Sequence, residues 1–159
     1  MPSYRRYHIG VQTCKLAQLN IGRLIAPLDD RRIAGFVAQL DTINRLAEAS
    51  PGFVWRLKSE DGNATDFRWN DDPQVIVNLS VWEAVEALHR FVYQTQHLQV
   101  LRDRALWFEK PSLPQACLWW VPSEHKPGLV EARAKLEHFQ MHGSAPEVFW
   151  FSKPYPTPN

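Results

Sequence analysis

The segment Val75-Ile-Val-Asn-Leu-Ser-Val-Trp-Glu83 alternates so strictly that it leaves little choice of structure. Side chains of an extended strand point to opposite faces in turn. Val77, Leu79 and Val81 therefore share one face, and Asn78, Ser80 and Trp82 the other. The first face is apolar enough to carry a helix. The second is polar and aromatic, which suits a cavity wall better than a dry core. Ser80-Val-Trp-Glu83 also has the spacing of a capping box, in which hydroxyl and glutamate each satisfy a backbone N–H. A helix is expected to start straight from this strand.

The rest of the chain supplies its neighbours. Lys15–Ile21 repeats the alternation, with Gln18 and Asn20 opposite Ala17, Leu19 and Ile21. Asp29 or Asp30 is a good N-cap, and Phe36, Val37, Leu40, Ile43 and Ala47 form a helical stripe that Ser50-Pro51-Gly52 ends. Phe53–Leu57 reads as a second strand, and the turn-rich 59–73 as a long hairpin connection. Ala84, Val85, Leu88, Phe91 and Val92 mark the inner side of the next helix. A break at Gln94–His97 precedes a further stripe of Leu98, Leu101, Ala105 and Phe108. Ala116–Val121 is a strand; Leu129, Ala132, Leu136 and Phe139 line a helix capped by Gly143; Glu147–Phe151 is a last strand.

The order β-α-β-β-α-β, with an added helix and strand, is that of an α+β ferredoxin-like fold: an antiparallel sheet with helices on one face. Residues 1–14 read as an N-terminal extension, 15–152 as a single domain and 153–159 as an extended tail. With the helices on one side, the polar-aromatic face (Gln18, Asn20, Asn78, Ser80, Trp82 and one of Trp119 and Trp120) calls for a partner. Two such sheets would pair as a homodimer with internal cavities.

Composition narrows the function classes. At 159 residues the chain is long enough for a core without disulfides or metal. A net charge of +1 and the lack of a Lys/Arg cluster give no footprint for nucleic acid. Cys14 and Cys117 sit in apolar strands and read as small core residues. No run approaches a membrane span and the N-terminus lacks the apolar stretch of a secretory signal, so a cytoplasmic protein is expected. There is no H-E-x-x-H, C-x-x-C, G-x-G-x-x-G, P-loop or G-x-S-x-G. No metal or nucleotide cofactor is expected.

Several motifs carry a resemblance. Ala17-Gln-Leu-Asn20, Asn44-x-x-Ala47, Ser50-Pro-Gly-Phe-Val-Trp-Arg56, Asn78-Leu-Ser-Val-Trp82, Arg104-x-x-Trp-Phe108 and Leu118-Trp-Trp-Val-Pro122 resemble a bacterial domain-of-unknown-function family. Phe91-Val-Tyr93, His97, His125-x-Pro127 with Glu131-Ala132, and Gly143-x-x-Pro146 belong to the same pattern. That family looks like part of the dimeric α/β-barrel superfamily, with relatives among the antibiotic biosynthesis and haem-degrading monooxygenases. The resemblance implies a fold and a cavity location. For haem it implies a strand Asn, which Asn20 matches, and a helix Trp and axial His, where Phe91 and Leu101 stand instead; His97 falls one turn early.

Candidate site residues follow from the same pattern. His97, near working pH by its ordinary pKa, is a candidate general acid or base; the alternative is a ring that braces the helix break. Asn20, Asn78 and Ser80 are candidates to orient a carbonyl or stabilise an oxyanion, or simply to bond across strands. Arg56 is a candidate for a carboxylate or enolate, or for a salt bridge. Trp82, Trp107 and Trp120 are candidate stacking surfaces, each with a core alternative. The expected pocket lies between the sheet and the helix bearing His97. Arg104 and Trp107 share a side of that helix, and the Pro122–Pro127 loop, with His125, closes it. The leading function is a cofactor-independent monooxygenase-like or proton-transfer enzyme acting on a small flat or lipophilic metabolite. The alternative is a non-catalytic small-molecule-binding or dimeric interaction protein, with haem a further possibility.

Overall fold

A computed structural model of the chain describes residues 13–59 and 67–159. Strand β1 (Cys14–Arg23) leads through a 3-10 turn (Arg31–Ile33) into α1 (Ala34–Ala49), then β2 (Phe53–Arg56) and β3 (Val75–Trp82). Helices α2 (Val85–Gln94), α3 (His97–Arg102) and α4 (Arg104–Trp107) precede β4 (Ala116–Pro122) and α5 (Leu129–His142). The four strands form one antiparallel sheet in the order β2-β3-β1-β4. This is the ferredoxin-like α+β arrangement expected.

Local chemistry explains the first crossover. Asp30 caps the 3-10 turn through Oδ1, which accepts from Arg32 N–H at 2.9 Å. Ser50 ends α1, its hydroxyl donating to the Leu46 carbonyl at 2.7 Å. Gly52 then turns the chain with φ 86°, and a Cβ there would lie 2.5 Å from Ala87 Cβ. Only glycine serves at that crossing.

The two faces differ as the alternation predicts, but the crossover helices take the other one. Leu19, Val77, Leu79, Val81, Cys117 and Trp119 form a dry cluster covered by Ala132 and Leu136 of α5 and by Trp69. Arg133 of α5 stacks 4.4 Å over the Trp69 ring and donates to its carbonyl. Burial there pushes the Cys117 thiol up to about 12, so it stays an inert core group. Helices α1 and α2 lie instead on the polar-aromatic face, where Ala47, Leu88 and Phe91 meet Leu16, Trp82 and Leu118. That face is internal to the protomer and is not the free dimerisation surface expected. The reason is geometric. Right-handed crossovers put both helices on one side, and alternation says that the faces differ without saying which face the crossovers reach.

Three smaller expectations are corrected. Ser80 and Glu83 form no capping box: Ala84 is the N-cap of α2, without a side-chain bond, while Glu83 pairs with Lys15. Residues 147–151 are not a strand: only Phe149 bridges the sheet, exchanging both backbone bonds with Leu118 at 2.8 and 2.9 Å. The tail does not extend freely at its start, since Trp120 Nε1 donates to the Tyr155 carbonyl at 3.0 Å. Residues 1–12 of the N-terminal extension and 60–66 of the long connection lie outside the described residues. Among the described residues, no helix is long and apolar enough to cross a membrane.

Candidate functional site

The strand register builds the floor of a site. Arg56, Ser80, Gln18 and Leu118 stand in one row across the four strands. Two residues along, Asn78 and Asn20 face each other, and beyond them Ile76 and Gly22. Helices α1, α2 and α3 roof this floor without filling it. They leave a cavity of about 260 Å³.

The first row is tied together. The Ser80 hydroxyl donates to Gln18 Oε1 at 2.8 Å and accepts from Trp82 Nε1 at 3.0 Å. All three residues are buried, so the chain satisfies polar atoms that would otherwise cost heavily. Arg56, also buried, donates from Nε to Glu48 Oε1 at 2.7 Å. That bond holds the Glu48 carboxyl below its ordinary value against the opposing cost of burial.

The break after α2 places the imidazole. Thr95 stitches it, donating to the Phe91 carbonyl at 2.5 Å and accepting from the His97 N–H at 3.2 Å. The His97 ring lies 5.0 Å from Phe91, which stacks on Trp82 at 5.2 Å. Its Nδ1 is out of solvent contact with no hydrogen-bond partner among the described residues. Burial pushes the imidazole pKa below its ordinary 6.5, with the Val92 carbonyl opposing. The ring is therefore neutral near pH 7, the form in which a histidine accepts a proton.

Arg104 and Trp107 both stand on the single turn of α4, after a second break at Asp103, yet they take different surroundings. Arg104 lines the cavity, its guanidinium carbon 5.6 Å over the Phe108 ring. Burial lowers its pKa, and among the described residues it has no hydrogen-bond or ion-pair partner. Trp107 is buried behind the cavity wall, in a core with Leu24, Ile33 and the lining residue Phe36.

Asn20, Asn78, Arg56, Ser80, Trp82, His97 and Arg104 thus line one cavity. Trp107, Trp120 and His125 do not. Trp120 is held by the tail. His125 is exposed, 3.1 Å from both Glu131 carboxylate oxygens, beside a surface groove on the other sheet face. The Pro122–Pro127 loop therefore does not close the cavity; Trp150 and Phe151 do, with Phe151 packed edge-on to His89 at 5.3 Å. Gln18, Asn44 and Tyr93 are further lining residues outside the expected set. Asn44 leaves a signal in the sequence, an amide within the apolar inner stripe of α1.

The residues do not fit haem. The cavity lies below the roughly 300–1,000 Å³ of drug-sized ligand sites, and Leu101, which stands at the position where the resemblance implies the axial histidine, lines its wall without a ligating atom. Among the described residues, no cluster of three or more His, Cys, Asp or Glu side chains is placed to hold a metal ion.

Several solved structures are similar to the chain at low identity. PA3566 from Pseudomonas aeruginosa is 13% identical, with a TM-score of 0.47, covering 73% of this chain and 100% of its own. SnoaB from Streptomyces nogalater, described as a cofactor-independent oxygenase, is 15% identical, with a TM-score of 0.44, over 70% of this chain and 95% of its own. A Nitrosomonas europaea protein provisionally described as an antibiotic biosynthesis monooxygenase is 15% identical, with a TM-score of 0.45, over 74% and 96%. No curated protein matches the chain. Its sequence matches, over residues 15–159, the family described as Domain of unknown function (DUF3291), and the chain belongs to that family.

Proposed function

We propose that the protein is a small-molecule enzyme that works in this cavity without a metal or nucleotide cofactor, on a flat or lipophilic metabolite. The chemistry is proton-transfer rearrangement or mono-oxygenation, both of which begin by removing a proton to leave an electron-rich carbon or oxygen. In the second, molecular oxygen is the oxidant: one of its atoms joins the substrate carbon, and the other leaves as water with electrons and protons supplied by the substrate. His97 takes that proton. The side-chain amides of Asn20 and Asn78 stabilise the oxyanion that forms. Arg56, engaged by Glu48, shapes the wall and does not hold the charge.

One observation carries this reading: a neutral, largely buried imidazole shares a mostly apolar cavity with the amides of Asn20 and Asn78 and with Arg104, a guanidinium that has no ion-pair partner among the described residues. Ionisable groups perturbed by burial in a cleft cluster at functional sites. A second reading, a non-catalytic binding protein, is favoured by the Trp82–Ser80–Gln18 chain. Its hydrogen bonds are spent within the wall, which makes that wall rigid and unreactive.

Comparing wild type with His97→Ala separates the two. Both are incubated with a metabolite extract and the products followed by mass spectrometry, with binding measured for any compound retained. Loss of turnover with binding kept supports the enzyme. Binding without turnover in wild type selects the binding protein.

The assembly belongs to the same reading as a homodimer. Its interface lies away from the polar face, which the protomer's own helices cover. Sedimentation as a monomer at micromolar concentration overturns it.

A further inference from the structure

We propose that the ligand of this cavity is an elongated aryl carboxylate, its acid group on Arg104 and its ring system toward Trp82, Phe91 and His97. The inference rests on the reading of the cavity as a small-molecule site and adds the ligand's charge, shape and direction.

Charge comes first. Two guanidiniums line the cavity, and among the described residues no Asp or Glu does. Arg56 is answered from outside the cavity by Glu48 at 2.7 Å. Among the described residues, Arg104 is answered by nothing but the face of Phe108. A half-buried cation without a counter-charge is costly, and a ligand bearing one negative charge removes that cost. The surroundings (Gly22, Phe36, Ile76, Val100, Phe108) offer no further donors for a more highly charged group. A planar carboxylate matches the guanidinium fork with two parallel hydrogen bonds.

Shape and direction come from the register. Gly22 packs under Arg104, since a Cβ there would sit 3.6 Å from its Nη2, and Gly22 pairs with Ile76. Trp82 is six residues further along β3, roughly 20 Å at about 3.3 Å per residue. At that end Phe53 meets Trp82 edge-on at 5.4 Å, and Phe91 stacks on it. The cavity has a cationic end and an aromatic end. Asn20 and Asn78 lie between them, and exposed Asn78 marks the mouth. The reacting part of the ligand, beside His97, is then remote from the acid that anchors it.

The test uses benzoate, naphthalene-2-carboxylate and biphenyl-4-carboxylate, each against its neutral carboxamide, by isothermal titration calorimetry. In wild type the two larger acids should bind about tenfold or more tighter than their amides, as expected for a charge-assisted bidentate pair. Biphenyl-4-carboxylate should exceed benzoate by a similar factor. In Arg104→Gln the acid–amide gap should close with the amides unchanged. In Arg104→Lys, which keeps the charge but loses the fork, it should narrow. Equal binding of acid and amide to wild type, or an undiminished gap in both variants, overturns the inference and leaves the cavity reading standing. Equal affinity for benzoate and biphenyl-4-carboxylate overturns the elongated shape. If no acid and no amide binds wild type, the inference and the cavity reading fall together.

Discussion

Ser80 and Gln18 face each other across β3 and β1, and the Ser80 hydroxyl bridges Gln18 Oε1 at 2.8 Å to Trp82 Nε1 at 3.0 Å. One hydroxyl thus satisfies two buried groups, one from the neighbouring strand and one from its own. Ser80→Ala removes both bonds at once. The Trp82 N–H, on a residue only 1% exposed, is left without a partner. The expected loss is about 1–3 kcal/mol, a fall in Tm of roughly 3–10 °C for a chain of this size. Urea melts of the variant and wild type measure it. A loss below about 0.5 kcal/mol would show that water replaces the hydroxyl.

Trp82 and Trp107 should part company on substitution. Trp107 does not line the cavity but fills the core behind its wall, with Leu24, Ile33 and the lining residue Phe36, so Trp107→Phe should cost stability, about 1–3 kcal/mol by large-to-small replacement. Ligand affinity should stay within about twofold, since no reacting or binding group moves. Calorimetric titration of biphenyl-4-carboxylate beside a thermal melt reads both quantities. A variant that melts like wild type but binds poorly would return Trp107 to the binding wall.

Gly22 is where backbone and side chains come closest in the cationic end of the cavity. An added Cβ would lie 2.7 and 2.9 Å from the Phe108 ring. Phe108 must then shift, and with it the aromatic face beneath Arg104. Gly22→Ala is expected to weaken carboxylate binding about tenfold while costing about 1–3 kcal/mol of stability, as overpacking does. Unchanged affinity would mean that Phe108 yields without disturbing the guanidinium.

The floor of the site was legible because strands write their faces in period two. Gln18, Asn20, Asn78, Ser80 and Trp82 could be assigned to one face from alternation alone, and the helix break at residues 94–97 correctly placed His97 beside them. Which face the helices roof was not legible, because alternation carries no sign. Nor was the break at Asp103, since Leu98, Leu101, Ala105 and Phe108 keep helical spacing through it; α4 is a single turn, from which Arg104 reaches the cavity while Trp107 enters the core behind it. Arg104 was visible as a residue, but its lack of a partner was not, since pairing depends on which acids the fold brings near. The closing role of Trp150 and Phe151 was hidden for a similar reason. Their apolar run reads as a strand, yet only Phe149 bridges β4 before the chain turns over the cavity.

The imidazole of His97 gives the fold a pH dependence whose sign is fixed. Burial lowers its folded pKa below 6.5, the value expected for the unfolded chain. Above about pH 7.5 both states hold it neutral and it contributes no slope. As pH falls through 6.5 the unfolded chain takes up the proton first. Stability is lost down to the folded pKa, below which the slope vanishes again. The stability of wild type relative to His97→Gln should therefore fall as pH drops from about 7.5 through 6.5 toward the lowered folded value. The C2–H resonance of His97 should titrate below 6.5, and turnover that uses His97 as a base should rise with pH to a plateau with its midpoint at that same value. Stability that rises instead as pH falls through this window would mean an anionic partner that raises the folded pKa, and His97 would no longer qualify as the neutral base.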